Sequence, residues 1–583
     1  MLFTAALFFT TIVFAATPII PIGQTPNVFD CLKSRCNLWY DQDINTIVFI
    51  HRGNPAVVGG LTNGSLYYDI SIDGGQHWLS NQGPVYSDPG GWGAGGSFCG
   101  IYNPLSNTIP SNAYIAYDAQ YSNSGGRAGR LYGEGKLDLS GASHHYDSLS
   151  HYGISENLFI VKNTRDLWSV GKNSDTLSVA HGIWNNGTNE YDFSFNFLPP
   201  PANHNAYAID VVDMDIAFND AGTTGYIAQI IYNESAIDST LYLDIYTTHD
   251  GGATWEGPLH LDTHTIVDTL LVRDPSVKYG PMFDLDIVVD ANSKLHILTG
   301  IARSSEFSVF TNPGLWGMFD VNNVSGCWQA DLLDKPMTFR GVFGDGSADN
   351  PTLNEDSRPF ASRSWDGTKL FFSWFDTDTI IFGSIQGNLF PDLHSIGYDV
   401  TTQLWTTAMN LTTATSADGS CTFGNGSYYV ISQGQNVFSI PTVIQALGDP
   451  VQTGSPSLLY YLPEANVDMS TATIAHVIGI NQTGCIDTLR LLSDSVISVW
   501  PIRDSAGEIT IYPNPTYDRL NIRSAKEEIN RVEIVDANGR KMYSRQINAA
   551  NVEIPVAEFS TGIYTVRVIT NKKVIHKKTQ IVK

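Results

Sequence analysis

The sequence is poor in charge and in cysteine, and beyond its first residues it has no long apolar run. Only 16% of the 583 residues are charged, too few for a coiled coil or a charge-laced helical bundle. Basic residues are scarcer than acidic ones, 33 against 58, for a formal net charge of −25. A surface of that sign repels phosphate backbones, so nucleic acid is not expected as a partner. None of the six cysteines lies in a CxxC pair and HExxH is missing, so no zinc knuckle or zincin site is indicated. A G-x-S-x-G nucleophile elbow is also missing. Between about Asn27 and Trp500 no amphipathic helix stands out, and no later stretch is apolar enough for a membrane span.

What is abundant is glycine and aromatic residues: Gly 52, Tyr 27, Phe 27 and Trp 12, within a chain that is 42% hydrophobic. That balance suits packed, turn-rich β structure, and the length calls for more than one core. Leu2 to Phe14 is an apolar run followed by Ala15 and Ala16, the pattern of a signal peptide over residues 1–16, although no Lys or Arg precedes Lys33. A buried N-terminal strand is the alternative. Export permits disulfides, and Cys31 and Cys36 are close enough to close a small loop. A Cys421–Cys485 staple is a weaker candidate.

From about 27 to 500, short apolar runs alternate with Gly, Asn, Asp and Ser clusters: Thr46–Ile50, Ala113–Tyr117, Leu158–Val161, Leu295–Leu298 and Leu370–Trp374. Three of these units repeat. Asp213-Met-Asp215, Asp284-Leu-Asp286 and Arg358-Pro-Phe360 each open a strand, a polar turn and a second, more apolar strand. Their offsets are 71 residues from Asp215 to Asp286 and 74 from Asp286 to Phe360. A period of that length with about four strands is a propeller blade, giving six or seven blades, with seven preferred. Two further segments share S/T-x-D-x-G-x-x-W: Ser71, Asp73, Gly75 and Trp78, and Thr248, Asp250, Gly252 and Trp255. The Asp can bond nearby backbone N–H groups, the glycines accept positive φ, and the Trp covers the hairpin. This pattern resembles the Asp-box of sialidase-like (BNR-repeat) propellers, which implies a structural turn between the two outer strands of a blade. A calcium-holding loop is the other reading. No cofactor is expected, although a structural cation such as calcium would fit such a loop.

From Glu508 the charge reverses, with 13 basic and 8 acidic residues, leaving 20 basic and 50 acidic in the rest. Residues 501–507 read as a linker, and 508–583 as short strands with period-two alternation. Leu520/Ile522, Val532/Ile534 and Tyr564/Val566/Val568 each line one face, with a tight turn at Asn538-Gly539. The expected fold is a small Ig-like antiparallel β-sandwich behind the propeller, in an all-β chain. Tyr512-Pro513-Asn514-Pro515, the turn Asp536-Ala-Asn538-Gly539, Gly562-Ile563-Tyr564 and the Lys-rich end with Lys577 and Lys578 closely resemble the type A C-terminal sorting domain of the type IX secretion system. The resemblance implies passage through the periplasm, recognition by the outer-membrane secretion machinery, and release or display at the cell surface.

Chemistry is harder to find. Sialidases of this shape clamp a carboxylate with three arginines. The main region has twelve, among them Arg52, Arg165, Arg273, Arg303, Arg340, Arg358 and Arg363. The opening Arg-Ile-Pro is missing, with Ile50-His51-Arg52-Gly53 and Ser357-Arg358-Pro359 as imperfect substitutes. Asp213/Asp215 and Asp284/Asp286 would place two carboxylates on one strand face, either lining the channel, holding a cation or ending in solvent. His51, Trp92, Trp168, Trp184, Trp316 and Trp374 are candidate sugar-stacking rings, against the alternative that blade tryptophans pack between sheets. The glycine run 89–97 reads as a surface loop. These features favour a glycan- or protein-binding module, with a glycoside hydrolase of the sialidase-like superfamily as the alternative.

Overall fold

The computed structural model describes residues 18–474 and 509–581, apart from short stretches that include 32–36, 89–91, 149–153, 199–208, 234–240, 264–277, 379–386, 513–515 and 536–539. Among the described residues the only helices are Pro55–Val58 and three short 3-10 turns. The chain divides into two compact units, Met1–Ser493 and Asp494–Lys583.

The first unit is a seven-bladed propeller of antiparallel sheets. Blades 1 to 4 are four-stranded and follow the chain in simple order over 38–86, 93–148, 154–198 and 209–261. Blade 5 (278–334) adds a short strand, Ser308–Phe310, on its second strand. Blade 6 (360–410) divides its outer position between Leu404–Trp405 and Met409–Asn410. The repeats legible in the sequence are the first two strands of blades 4, 5 and 6. First strands of successive blades pack on one another around the axis.

Blade 7 is built from both ends of the unit. Its order from the axis outward is Asn425–Gly426, Thr442–Ala446, Ser457–Tyr461 and then Ile20–Thr25. The N-terminal strand lies ahead of the expected start at residue 27, and it closes the ring by pairing Ile20 with Tyr461 and Thr25 with Ser457. Thr25, Ser457 and Gln445 share buried side-chain hydrogen bonds across three strands of that blade. On the axis the seam is sealed by Trp39 of blade 1, stacked on Tyr428 with centroids 6.2 Å apart and edge-on to Tyr429.

The second unit is a sandwich with its own core. A three-stranded sheet (Ile509–Tyr512, Arg519–Ser524, Asn551–Pro555) faces a four-stranded one (Lys541–Ala549, Ile529–Val535, Gly562–Thr570, Val574–Ile581). Leu520, Ile522, Val532, Ile534, Tyr564, Val566 and Val568 are all buried, as their alternation requires.

The expected signal peptide, Cys36 and the linker 501–507 lie outside the described residues, so the Cys31–Cys36 pairing does too. Cys99 and Cys421 are buried free thiols. Cys421 packs in the core with its Sγ on the Ala417 carbonyl, while Cys485, and so the Cys421–Cys485 staple, lies outside the described residues.

Candidate functional site

The first strand of a blade has no sheet partner on its channel side, so its N–H groups need acceptors. The paired aspartates supply them. The Asp213 carboxylate accepts from Met214 N–H (3.0 Å) and, one blade on, from Leu285 N–H (2.9 Å). Asp215 accepts from Ile216 (2.6 Å) and from Ile287 of the next blade (3.0 Å), and also from the Asn157 amide of the preceding blade. Asp286 repeats the pattern with Ile287 (2.9 Å) and Ala361 (2.8 Å). All three carboxylates are buried. They are inter-blade staples and not solvated strand ends, which corrects that reading for these three; Asp284, the partner of Asp286 in the second pair, is partly buried. Among the described residues no group of three or more His, Cys, Asp or Glu could hold a metal ion.

The axis itself is plugged. Tyr428 of blade 7 reaches Trp39 of blade 1, Phe159 of blade 3 (5.0 Å, edge-on) and the Val289 N–H of blade 5 (3.3 Å). Beside the plug, Lys162 and Arg363 both bind Asp220, at 2.8 and 2.9 Å, and Lys162 sits 5.0 Å above the Trp365 ring. Arg165 pairs with Asp43 at 3.1 Å. Arg340 forms a two-point pair with Asp356 and lies over the Phe283 and Phe339 rings. Arg52 donates to Asn27 (2.7 Å), and Arg273 lies outside the described residues. Arg165, Arg340 and Arg363 are thus engaged with carboxylates of the chain itself.

Burial raises several carboxyls, among them Glu134 of blade 2, which is pushed up to about 7, and Glu355, which is pushed further. Glu355 lies in the connection between blades 5 and 6, in the three-residue strand Leu353–Glu355. It is buried, its Oε1 accepts from Phe423 N–H at the entry to blade 7, and its Oε2 is buried without a hydrogen-bond partner. Burial pushes its carboxyl up to about 8, although Arg358, 3.8 Å away, pulls the other way. Arg358 itself has φ +42°, a left-handed conformation rare in an arginine and rarer still before a proline. Sequence reading missed Glu355. Its only local signal is Arg358-Pro359, where the extended backbone expected before proline does not form.

The candidate stacking rings separate into two kinds. Trp168, Trp316 and Trp374 are buried, and so is His51, 3.3 Å from the Asp69 carboxylate. Trp184 is partly buried and stacks on Tyr102 at 3.7 Å. The four tryptophans pack in cores between blades, whereas His51 is held within blade 1. Trp92 is different: it stacks on Tyr121 (4.6 Å, 5° between planes), and Tyr121 stacks on Tyr146 (5.0 Å, 19°). Trp92 is partly buried, Tyr121 is buried and Tyr146 is 65% exposed, so the column ends in an open ring face.

The two S/T-x-D-x-G-x-x-W segments sit between the third and fourth strands of blades 1 and 4. Ser71 Oγ donates to Asp73 (2.8 Å) and accepts from Gly75 N–H (2.8 Å), while Asp73 accepts from His77 N–H (2.9 Å). Thr248, Asp250, Gly252 and Thr254 repeat these bonds at 2.8–2.9 Å. The bonds from Thr254 and Thr248 hold the Asp250 carboxyl at about 2. Gly75 has φ +93° and lies so close to Tyr461 of blade 7 that a Cβ would fall 2.5 Å from its ring. Gly252 stands likewise against Trp168 of blade 3. Trp78 packs 5.1 Å from Tyr461, and Trp255 6.2 Å from Trp168, so each turn leans on the preceding blade.

In the second unit, Tyr512 ends its strand half-exposed, while Pro513–Pro515 and Asp536–Gly539 lie outside the described residues. Gly562, Ile563 and Tyr564 open the strand Gly562–Thr570, where the buried Tyr564 donates to Ser560 O (2.8 Å). Lys577 and Lys578 lie on the last strand, paired with Val566 and Thr565. On the central strand Glu533 meets Lys541 (2.9 Å), Arg567 (3.3 Å) and Arg531 (3.9 Å), and these cations hold its carboxyl below its ordinary value.

No helix among the described residues is long and apolar enough to cross a membrane. A search of curated proteins finds no match to the chain. Among solved structures, the polysaccharide lyase Uly1 is 10% identical over 77% of this chain and 98% of its own, with a TM-score of 0.37. An exo-β-1,3-galactanase from Phanerochaete chrysosporium is 9% identical over 77% and 90%, at 0.29. PorZ, a surface component of the type IX secretion system of Porphyromonas gingivalis, is 10% identical over 98% and 100%, at 0.13. Residues 510–583 match the secretion system C-terminal sorting domain, so this part of the chain is a type IX export tail and the protein is sent to the cell surface or secreted.

Proposed function

We propose that the exported propeller is a glycan-binding module of the cell surface, of the sialidase-like architecture that its two Asp-containing turns suggest. The observation that carries this reading is the commitment of the inner-strand carboxylates. Asp213, Asp215 and Asp286 each bond a backbone N–H of the next blade and are not a cleaving pair. Retention on a glycan array by the exported chain, with no release from a panel of chromogenic glycosides, is the expected result. Turnover that a single carboxylate substitution abolishes would overturn it.

A second reading, a glycoside hydrolase, is favoured by Glu355. A carboxyl group still protonated near neutral pH, with one oxygen unbonded, has the properties of a general acid. Turnover lost in Glu355→Gln would support it, and binding without turnover would end it.

A further inference from the structure

Trp168, Trp316 and Trp374 are buried, whereas the column in blade 2 ends in the open. Trp92, Tyr121 and Tyr146 come from the start of the first strand, the second strand and the fourth strand of that sheet. The stack therefore runs across the blade toward its outer edge. Two buried or partly buried rings hold the third in place, so a flat ligand meeting Tyr146 need not order a mobile side chain. The surroundings are polar. The buried Tyr86 places its hydroxyl 3.5 Å from the Trp92 carbonyl and stands edge-on to His144 at 5.1 Å. The Asp88 carboxylate acts on Tyr86, Tyr121 and His144 alike. Burial holds His144 below the ordinary imidazole range, with His145 adding to the effect, so this imidazole is neutral near pH 7. The unit that carries the column is strongly acidic, with 50 acidic and 20 basic residues before Glu508.

An open aromatic face backed by two held rings suits a ring with an apolar C–H face. A negatively charged ring would be repelled by the field of the strongly acidic unit. We propose that the outer face of Tyr146, backed by Tyr121 and Trp92, is a binding subsite for an uncharged pyranose unit of a polysaccharide. This rests on the glycan-binding reading and names its place and ligand class.

The test is affinity electrophoresis of the exported full chain through gels containing laminarin, galactan or mannan as neutral polymers and alginate as an acidic one. Tyr146 is largely exposed and Tyr146→Ala should fold as wild type, which an unchanged Tm would check. The expected result is retardation by at least one neutral polymer and not by alginate. Affinity should fall by about tenfold in Tyr146→Ala and be kept in Tyr146→Trp. Equal retardation of wild type and Tyr146→Ala would overturn this subsite while leaving glycan binding standing. Retardation by alginate alone would overturn the uncharged class. Retardation by none of the polymers would end both the subsite and the reading it rests on.

Discussion

Glu355 is a carboxyl group that folding has withdrawn from water and supplied with one described hydrogen bond, from Phe423 N–H. Its folded-state proton is held up to about 8, against an ordinary value of 4.5, so the folded chain binds a proton that the unfolded chain gives up between those two values. Stability from this residue must therefore fall as pH rises from 4.5 to 8, opposite to an ion-paired carboxylate. Glu355→Gln keeps an acceptor for Phe423 and removes the ionisation. Its Tm should match wild type near pH 4.5 and exceed it by a few degrees at pH 8 and above; equal melting curves across that range would show that the site is wetter than its burial implies. Nothing in Asn354-Glu355-Asp356 announces this, because the burial comes from segments some 70 residues away in blade 7. The aspartates are a middle case. Their i, i+2 spacing was readable, but the acceptor role depends on Leu285 and Ile287, 72 positions on, and only the closed ring brings those together.

At the level of elements the repeat was legible because each blade encodes the same local instruction: a strand, a polar turn and a more apolar strand. Two Asp-containing turns were legible for the same reason, since all their bonds close within seven residues. The N-terminal strand was not. Ile20–Thr25 is a short segment with a proline and a glycine, and it becomes a strand by adding to an edge more than 430 residues distant. Without it Ser457–Tyr461 would be the unprotected outer strand of blade 7, and the buried amide of Gln445 would lose its bond to Thr25. A chain lacking Ile20–Thr25 should melt at lower temperature and aggregate at concentrations where the intact chain stays monodisperse by light scattering. Unchanged melting and scattering would mean that the ring closes adequately on three strands. The aromatic column belongs to this scale as well. Trp92 was readable as a candidate, but Tyr121 and Tyr146 become its neighbours only through the pairing of Ala94 with Tyr121 and of Leu131 with Tyr146.

Across the whole molecule the two units differ in sign as well as in fold. The residues before Glu508 hold 50 acidic and 20 basic side chains, whereas the tail holds 8 and 13. In the tail Arg531, Lys541 and Arg567 surround Glu533, three cations sharing one carboxylate and leaving an excess of positive charge. That group sits on the four-stranded sheet that also carries the Lys577 and Lys578 strand. Residues 510–583 match the secretion system sorting domain, so the export signal is expected in this unit. Removing Glu508 to Lys583 should leave the propeller made but not delivered, with the truncated protein recovered from the periplasmic fraction and lost from the surface and medium. Fusing the same residues to an unrelated periplasmic protein should carry that protein outward. If the truncated chain still reached the medium at the wild-type level, the delivery information would have to reside in the acidic unit, and the charge reversal at Glu508 would mark a structural boundary without a sorting role.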